Sequence, residues 1–289
     1  MSTAVPAPTT ESASGATPAL APALIGTQGW NYRAWAGPFY PPGTKVADML
    51  GLYAQAFPTV EVDSTFYVIP PDPVVAKWRE EVPTTFRFAL KVPQEVTHEK
   101  KLVGADTILT RFLKRIAPLG DRLGALLLQM APDFRANEEA AAALETFCAG
   151  LSGDFPWAIE FRHAAWLTPQ TLELLRTRRI ALTLVEGRWI KRGPMLELAI
   201  EPTASFAYFR WMGPERRLTD FGTVQVDRSH ETAQWLPAIE TLRKRVTALF
   251  GYVNNQFEGH APHTARSIQQ ALGVAAVDPS NLRVQTELF

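Results

Sequence analysis

The sequence predicts an α/β protein of the (β/α)8 TIM-type barrel class. Three observations carry that expectation. Eight short apolar runs are spread along the 289 residues, helical patterns fall between most of them, and the runs end in polar or charged residues that a plain core strand would not carry. Barrels of this class gather the C-terminal ends of their strands on one face, so those endings mark where a site would lie.

The runs are ALIGTQG (23–29), TVEVDST (59–65), RFALKVP (87–93), GALLLQM (124–130), WAIEFRH (157–163), IALTLVE (180–186), FAYFRWMG (206–213) and TALFGYVNN (247–255). Each is rich in β-branched, aromatic or other apolar residues and bounded by Gly, Pro or Asp. Between the first two, KVADMLGLYAQAF (45–57) repeats apolar residues at helical spacing. DPVVAKWREEV (72–82) opens with Asp72 as its expected N-cap and Pro73 in the first turn. Residues 106–120 read as a helix closing near Gly120, and 137–151 as one capped by Asn137 with glutamates at its positive end. TPQTLELLRTRR (168–179) pairs a Thr cap with Pro169 and ends in arginines, and 231–246 and 262–273 supply the last helices. The stretch 187–205 does not resemble an ordinary barrel helix. Residues 213–230 form a long Gly/Pro/Arg-rich connection, so extended loops are expected after strands 6 and 7, over the mouth.

One domain is expected over 23–275. Residues 1–22, almost all Ala, Pro, Ser and Thr with no Lys or Arg, read as a flexible tail without the basic start of a signal peptide, and 276–289 as a C-terminal tail or strap. Lys plus Arg equals Asp plus Glu, 29 each, so a general attraction to nucleic acid or anionic lipid finds no support. No run approaches the roughly 20 apolar residues of a membrane span. The single cysteine, Cys148, sits in a helical pattern as a small core residue, which rules out a disulfide within the chain and fits a reducing, cytoplasmic setting.

Alternate residues of a strand face the same way. The second run then sends Glu61 and Asp63 to one face, the third Lys91, the fourth Gln129, the fifth Glu160 and Arg162, and the seventh Tyr208 and Arg210. The bulky partners between them suit the layer under the helices, and the polar set suits the barrel interior near its top. Buried ions cost several kcal/mol each unless partnered, and here acids and bases come from different strands and can converge. Asn254 and Asn255 close the eighth run, and alternation does not say which one points inward. Aromatic residues lean toward the same end: Trp30, Tyr67 and Trp189 lie just after strand ends, where flat rings can stack on a ligand. The segment 29–43 is too aromatic for a solvated loop and is expected to fold down as a cover.

The helix beginning near Pro262 offers an N-terminus that could take an anion, with Arg210, Arg216 and Arg217 nearby. His260 and His263 lack the helical spacing of a zinc motif. No cofactor is predicted, because no phosphate loop, dinucleotide fingerprint or nucleophile elbow is present. A divalent cation held by the oxygens of Glu61, Asp63 and Glu160 stays open. Strands 4 and 7 end in Gln129 and Arg210, which argues against the carboxylate pair of retaining glycosidases.

IGTQGWNYRAW, FYPPG, VEVDSTFY, KVP, LLLQMAPDF, AIEFRHAAW, YFRWMG and NNQFEGHAPHTA resemble, in order, the blocks of the YecE-like family, which carries the label domain of unknown function seventy-two. The resemblance runs from about residue 24 to 273 and implies a TIM-type barrel. It implies no reaction, since the family has no established activity. The family typically has Asn where this chain has Asp63 and Thr264, and the first change adds a negative charge to the site.

The expected function is an acid/base enzyme of hydrolase or isomerase type. Glu61 or Glu160 would be the catalytic carboxylate. Lys91, Arg162 and Arg210 would hold a small anionic, phosphorylated or nucleotide-like substrate. Asp63, Gln129, Asn254 or Asn255, Trp30 and Tyr67 would complete the pocket. The alternative is a non-catalytic binder or adaptor for an anionic ligand or a nucleic-acid end. Sequence alone leaves the oligomeric state open.

Overall fold

A computed structural model describes residues 20–214 and 217–283. Eight parallel strands close into a barrel in sequence order: β1 (Ala23–Gln28), β2 (Thr59–Val62), β3 (Arg87–Lys91), β4 (Leu123–Gln129), β5 (Trp157–Glu160), β6 (Ala181–Gly187), β7 (Phe206–Gly213) and β8 (Ala248–Val253). The helices that follow them are α1 (Met49–Ala56), α2 (Asp72–Glu80), α3 (Asp106–Ile116), α4 (Glu138–Gly150), α5 (Pro169–Arg178), α6 (Arg192–Leu198), α7 (Ser229–Arg243), α8 (Asn255–Glu258) and α9 (Ala261–Ala271). The (β/α)8 class expected from the polar-ended runs is the class observed.

Strand alternation divides the apolar residues into two bodies. The outer face of the barrel (Val60, Val62, Phe88, Leu90, Leu126, Leu128, Ile159, Phe209) packs under the helices in one large core. The interior is a separate small core. There Ala89, Ala125, Ala158 and Ala181 on β3–β6 face Phe206, Tyr208, Phe250 and Tyr252 on β7 and β8. Small side chains on one wall make room for rings reaching from the other, which is how a narrow barrel fills without voids. The two tyrosines also carry polar tips. Tyr252 Oη lies 2.8 Å from Thr59 Oγ1, and the Tyr208 hydroxyl donates to Glu61 at 2.7 Å.

Local signals account for most helix ends. Asn137 accepts a bond from the Ala140 amide at 2.8 Å and Thr168 from that of Thr171 at 3.2 Å, as their positions predict. Asp72 does not cap α2. Pro71 occupies the cap position, and Asp72, already in the first turn, pairs with Arg115 of α3 at 2.9 Å. The stretch 187–205, which lacked a helical signature, holds the short α6.

The aromatic segment after β1 is the expected cover. Trp35, Phe39 and Tyr40 are buried and pack edge-on or tilted against one another. The connection after β7 is long but fastened: Gln225 and Val226 donate backbone bonds to Glu258 O, and the Leu218 amide donates to Gln256 Oε1 at 3.0 Å. At the other end of the barrel Arg243 donates to Ala21 O and Leu272 O. Part of the stretch expected as a C-terminal tail packs back on the barrel, since Leu282 is buried and the amide of Arg283 donates to Gln55 at 3.1 Å. Residues 1–19 and 284–289 of the expected tails lie outside the described residues, as does Arg216.

Gly213 sets where the β8–α9 connection sits. Its φ of +77° suits glycine, and a Cβ there would lie 2.3 Å from Gln256 O. Gly213→Ala therefore adds backbone strain to a collision with α8. It is expected to cost about 2–3 kcal/mol, measurable as a lower urea midpoint with an unchanged m-value.

Candidate functional site

The C-terminal ends of β2, β5 and β7 meet around one guanidinium. Arg210 on β7 is 1% exposed and donates through Nε and Nη2 to the two oxygens of Glu61 on β2, at 3.0 and 2.7 Å. Its Nη1 donates to Glu160 on β5. A planar fork with five N–H groups can serve two carboxylates at once, which an ammonium could not do with the same directionality. Glu61 is completed by the Tyr208 hydroxyl. Glu160 Oε1 also accepts from Gln129 on β4 at 2.8 Å and from Arg162 Nε at 3.4 Å. Register makes this possible: Gln129 is paired with Glu160, and Gln28 on β1 with Glu61.

Lys91 ends β3 beside this network. Its ammonium lies 3.3 Å from Asp63 Oδ1, without hydrogen-bond geometry, and 4.1 Å from the centre of the Phe66 ring. Thr65 fixes its backbone by donating to Lys91 O at 2.7 Å. Asp63 reaches the site by a different route from the one alternation implies. Strand β2 ends at Val62, and Asp63 has helical backbone angles. Its side chain still turns to Lys91 because a buried ammonium draws the nearest carboxylate.

Two further groups complete the rim. Gln28, at the end of β1, accepts from Asn254 Nδ2 at 2.6 Å and lies 2.8 Å from the sulfur of Met212. His98 stands on a π-helical turn, Glu95–Glu99, after β3, its ring 4.9 Å from that of Phe66. Sequence reasoning assigned no role to Gln28 or His98. For Gln28 the available signal was its position at the end of β1; His98, seven residues beyond β3, offered none.

Seven expected residues are therefore brought together: Glu61, Asp63, Lys91, Gln129, Glu160, Arg162 and Arg210. Of the asparagine pair, Asn254 belongs to the rim. Asn255 is buried in α8, where its Oδ1 accepts from Trp35 Nε1 at 3.3 Å and from the Ala261 amide at 3.0 Å. Trp30 packs edge-on against Trp78 of α2 at 5.9 Å. Tyr67 is 69% exposed and lines a separate groove of about 420 Å³ between residues 66–69, 93–99 and α3. Neither ring contacts the charged set. The N-terminus of α9 has no donors to spare for an anion either. Ala261 N–H is taken by Asn255, Pro262 has none, and the amides of His263 and Thr264 bond to His260 O. Thr264 donates its hydroxyl to the buried Glu258.

Charge compensation is not uniform across the network. Burial pushes the carboxyl of Glu61 above its usual range, against the pull of Arg210. Burial acts on Glu160 too, but Arg210 and Arg162 together bring it below that range. Burial also lowers Lys91, with Asp63 opposing. His98 is pushed down to about 4, by burial first and then by the charges of Arg162 and Lys91. At neutral pH the imidazole and Glu160 are thus both in their basic forms. The oxygens of Glu61 and Glu160 already accept from Arg210, so a cation would have to displace it. Among the described residues no group of three His, Cys, Asp or Glu side chains is placed to hold a metal ion.

Glu160 and Arg162 stand on the wall of a narrow cleft of about 30 Å³, with Val185, Gly187, Arg188, Trp189 and Met212 around it; that is room for about one water, so a ligand would meet the cleft at its rim rather than fill it. The sequence matches the family described as "Protein of unknown function DUF72" over residues 24–286. The chain belongs to that family. It is 26% identical over 270 residues to the UPF0759 protein YunF of Bacillus subtilis, covering 86% of this chain and 94% of that protein. It is 38% identical over 111 residues to the UPF0759 protein YecE of Escherichia coli K12, covering 38% of this chain and 40% of YecE. Among solved structures, a DUF72 family protein from Thermotoga maritima superposes with a TM-score of 0.75 at 24% identity, over 87% of this chain and 99% of that one. A DUF72 family protein from Enterococcus faecalis gives 0.67 at 27%, over 80% and 96%. These relatives fix family and fold. No helix of the described residues is long and apolar enough to cross a membrane.

Two predictions test the network. Arg210→Met leaves two buried carboxylates without their shared cation and is expected to destabilise the protein by about 3–5 kcal/mol at pH 7. The loss should shrink toward pH 5, because the orphaned carboxyls take up protons once no cation holds them ionised; urea denaturation at the two pH values reads both. The second concerns His98. Its folded pKa lies below the ordinary 6.5, so the unfolded chain binds the proton first and stability falls as pH drops from about 6.5 to about 4. Arg162→Met removes one of the causes, so the His98 pKa, followed by ring-proton NMR, should rise from about 4 toward 6.5.

Proposed function

We propose that the barrel mouth binds a small anionic ligand and acts on it by acid/base chemistry of hydrolase or isomerase type, without a redox cofactor. One observation carries the reading. Among the described residues, the cleft at the mouth is lined by two guanidiniums, Arg162 and Arg188, and one carboxylate, Glu160, with which Arg162 is itself paired. Cationic side chains therefore outnumber anionic ones along the described wall although the chain as a whole is neutral. Glu160 is the carboxylate that lines the cleft, and because Arg210 and Arg162 keep it ionised at neutral pH its role would be that of a weak base rather than an acid. Lys91 and His98 do not line the cleft, but the charges of Lys91 and Arg162 act on His98. Glu61, at 0% exposure and with both oxygens bonded, is a positioning residue that sets Arg210. A cytoplasmic location is part of the proposal and rests on the single, buried cysteine.

A second reading, a non-catalytic binder for an anionic group or a nucleic-acid end, is favoured by the saturation of Glu160. Three donors on two oxygens hold it ionised and reduce its use as a proton carrier. The readings separate experimentally. Thermal shift and calorimetry with inorganic phosphate, pyrophosphate and small phosphorylated or carboxylated metabolites should give binding that Arg162→Met weakens about tenfold or more, the loss of one charge-assisted contact. Turnover of a binding compound, lost in Glu160→Gln while binding is kept, supports the enzyme. Binding without turnover leaves the binder. No anion binding in the native protein sinks both.

A further inference from the structure

The mouth carries an exposed tryptophan that the charge network does not need. Trp189 follows β6 and is 40% exposed. Arg188 lies over its ring at 4.4 Å and Arg162 at 5.6 Å from the centroid. The ring lines the same cleft as Glu160, Arg162 and Met212.

The segment that presents Trp189 is anchored on both sides. At the end of β6, Glu186 accepts from Arg192 of α6 through Nε at 2.5 Å and Nη2 at 3.0 Å. It also accepts from Trp235 Nε1 of α7 at 2.7 Å. The five residues between Glu186 and Arg192 are thus closed into a loop by a two-point ion pair, and Ile190 within it is buried. A bidentate Arg–carboxylate pair fixes orientation as well as distance. An indole exposed at the tip of so constrained a loop loses hydrophobic stabilisation that burial would give, and it gains a defined place beside two guanidiniums. Guanidiniums over an indole are held there by cation–π attraction and stand near any anion carried by a ring that packs on the same indole.

We infer that Trp189 is the specificity element of the mouth. It selects anions in which a flat, unsaturated ring lies next to the charged group, the ring stacking on the indole and the charge meeting Arg162 and Arg188. The inference rests on the anion-binding reading and adds to it the class of ligand. The Glu186–Arg192 pair acts through Trp189, as a positioning contact.

The test compares inorganic phosphate, cyclohexyl phosphate and phenyl phosphate by calorimetry on the full chain. The two esters share charge and similar size and differ in flatness. Phenyl phosphate is expected to bind about fivefold more tightly than its cyclohexyl counterpart, the size of one aromatic stacking contact. Trp189→Phe should keep most of that preference. Trp189→Leu, which retains apolar bulk without a ring, and Trp189→Ala should abolish it; the readout is the ratio of the two ester affinities, from which any change in phosphate binding common to both cancels. Arg192→Met, with Trp189 intact, should reduce the preference by freeing the loop. A preference absent from the native protein, or one that survives in Trp189→Leu and Trp189→Ala alike, overturns the inference and leaves the anion site standing. Absence of phosphate binding, or binding indifferent to Arg162→Met, overturns the anion site and this inference with it.

Discussion

A single guanidinium shared by two buried carboxylates is the constraint around which the interior of this barrel is arranged. Arg210, Glu61 and Glu160 come from three different strands, and none of them could be charged at that depth without the others. Strand register, the Tyr208 hydroxyl and the Gln129 amide all serve to complete it. Stability alone does not explain such a triad, because apolar side chains of similar volume fill a barrel at least as well. The deeper half of this barrel does so, with alanines facing phenylalanines and tyrosines. The change from apolar filling to a bonded ionic layer falls at the C-terminal end of the strands, where barrels place their chemistry. That coincidence of depth and position is the physical reason to read the layer as the floor of a site.

The floor determines what the groups above it can do. Arg210 spends its donors downward and sideways on carboxylates, so it cannot also serve as a primary anion ligand. Arg162, which pairs with Glu160, and Arg188 line the cleft above it. Glu61 is sealed, and its role is to hold Arg210. Glu160 belongs to both layers, bonded from below and bordering the cleft above. The opposite directions in which Glu61 and Glu160 depart from the ordinary carboxylate range follow from the same arrangement: both are buried and share Arg210, but Asp63 adds a like charge near Glu61 whereas Arg162 adds a second guanidinium beside Glu160.

Much of this was legible in the sequence, and the limits are physical. Strand alternation is rigid, so Glu61, Lys91, Gln129, Glu160 and Arg210 could be assigned inward from their spacing alone. Alternation stops where the strand stops. It places Asp63 with Glu61, where the side chain is found beside Lys91, but for a reason other than alternation since the backbone there is already helical; and it does not decide between Asn254 and Asn255, because the chain turns into α8 between them. Single aromatic residues were the least legible. Trp30 and Tyr67 have the same sequence context as a stacking ring, yet the nearest large neighbour decides their use. Trp30 found Trp78 on α2, and Tyr67 lies over a groove outside the charged set. His98 was invisible for the opposite reason. It lies seven residues beyond Lys91 in sequence, and only the π turn after β3 returns it to the field of Lys91 and Arg162.

The site therefore reads as a gradient from fixed to variable. At the bottom, each polar atom of Glu61 and Arg210 has a partner, and a change in one member exposes the others to an uncompensated charge. At the level of Glu160 and Lys91, charges are still paired but reach the mouth. At the rim, Arg188 and Trp189 are exposed, and beyond the contacts of Arg188 and Arg162 with the Trp189 ring the fold constrains them through the loop that carries them. Residues whose loss would damage the barrel can report little about ligand choice, because their surroundings already dictate them. Residues held by a loop clamp and exposed at the tip are free to differ without cost to the fold. Selectivity within this architecture is therefore expected at the ends of the βα connections, with the ionic floor common to whatever the mouth accepts.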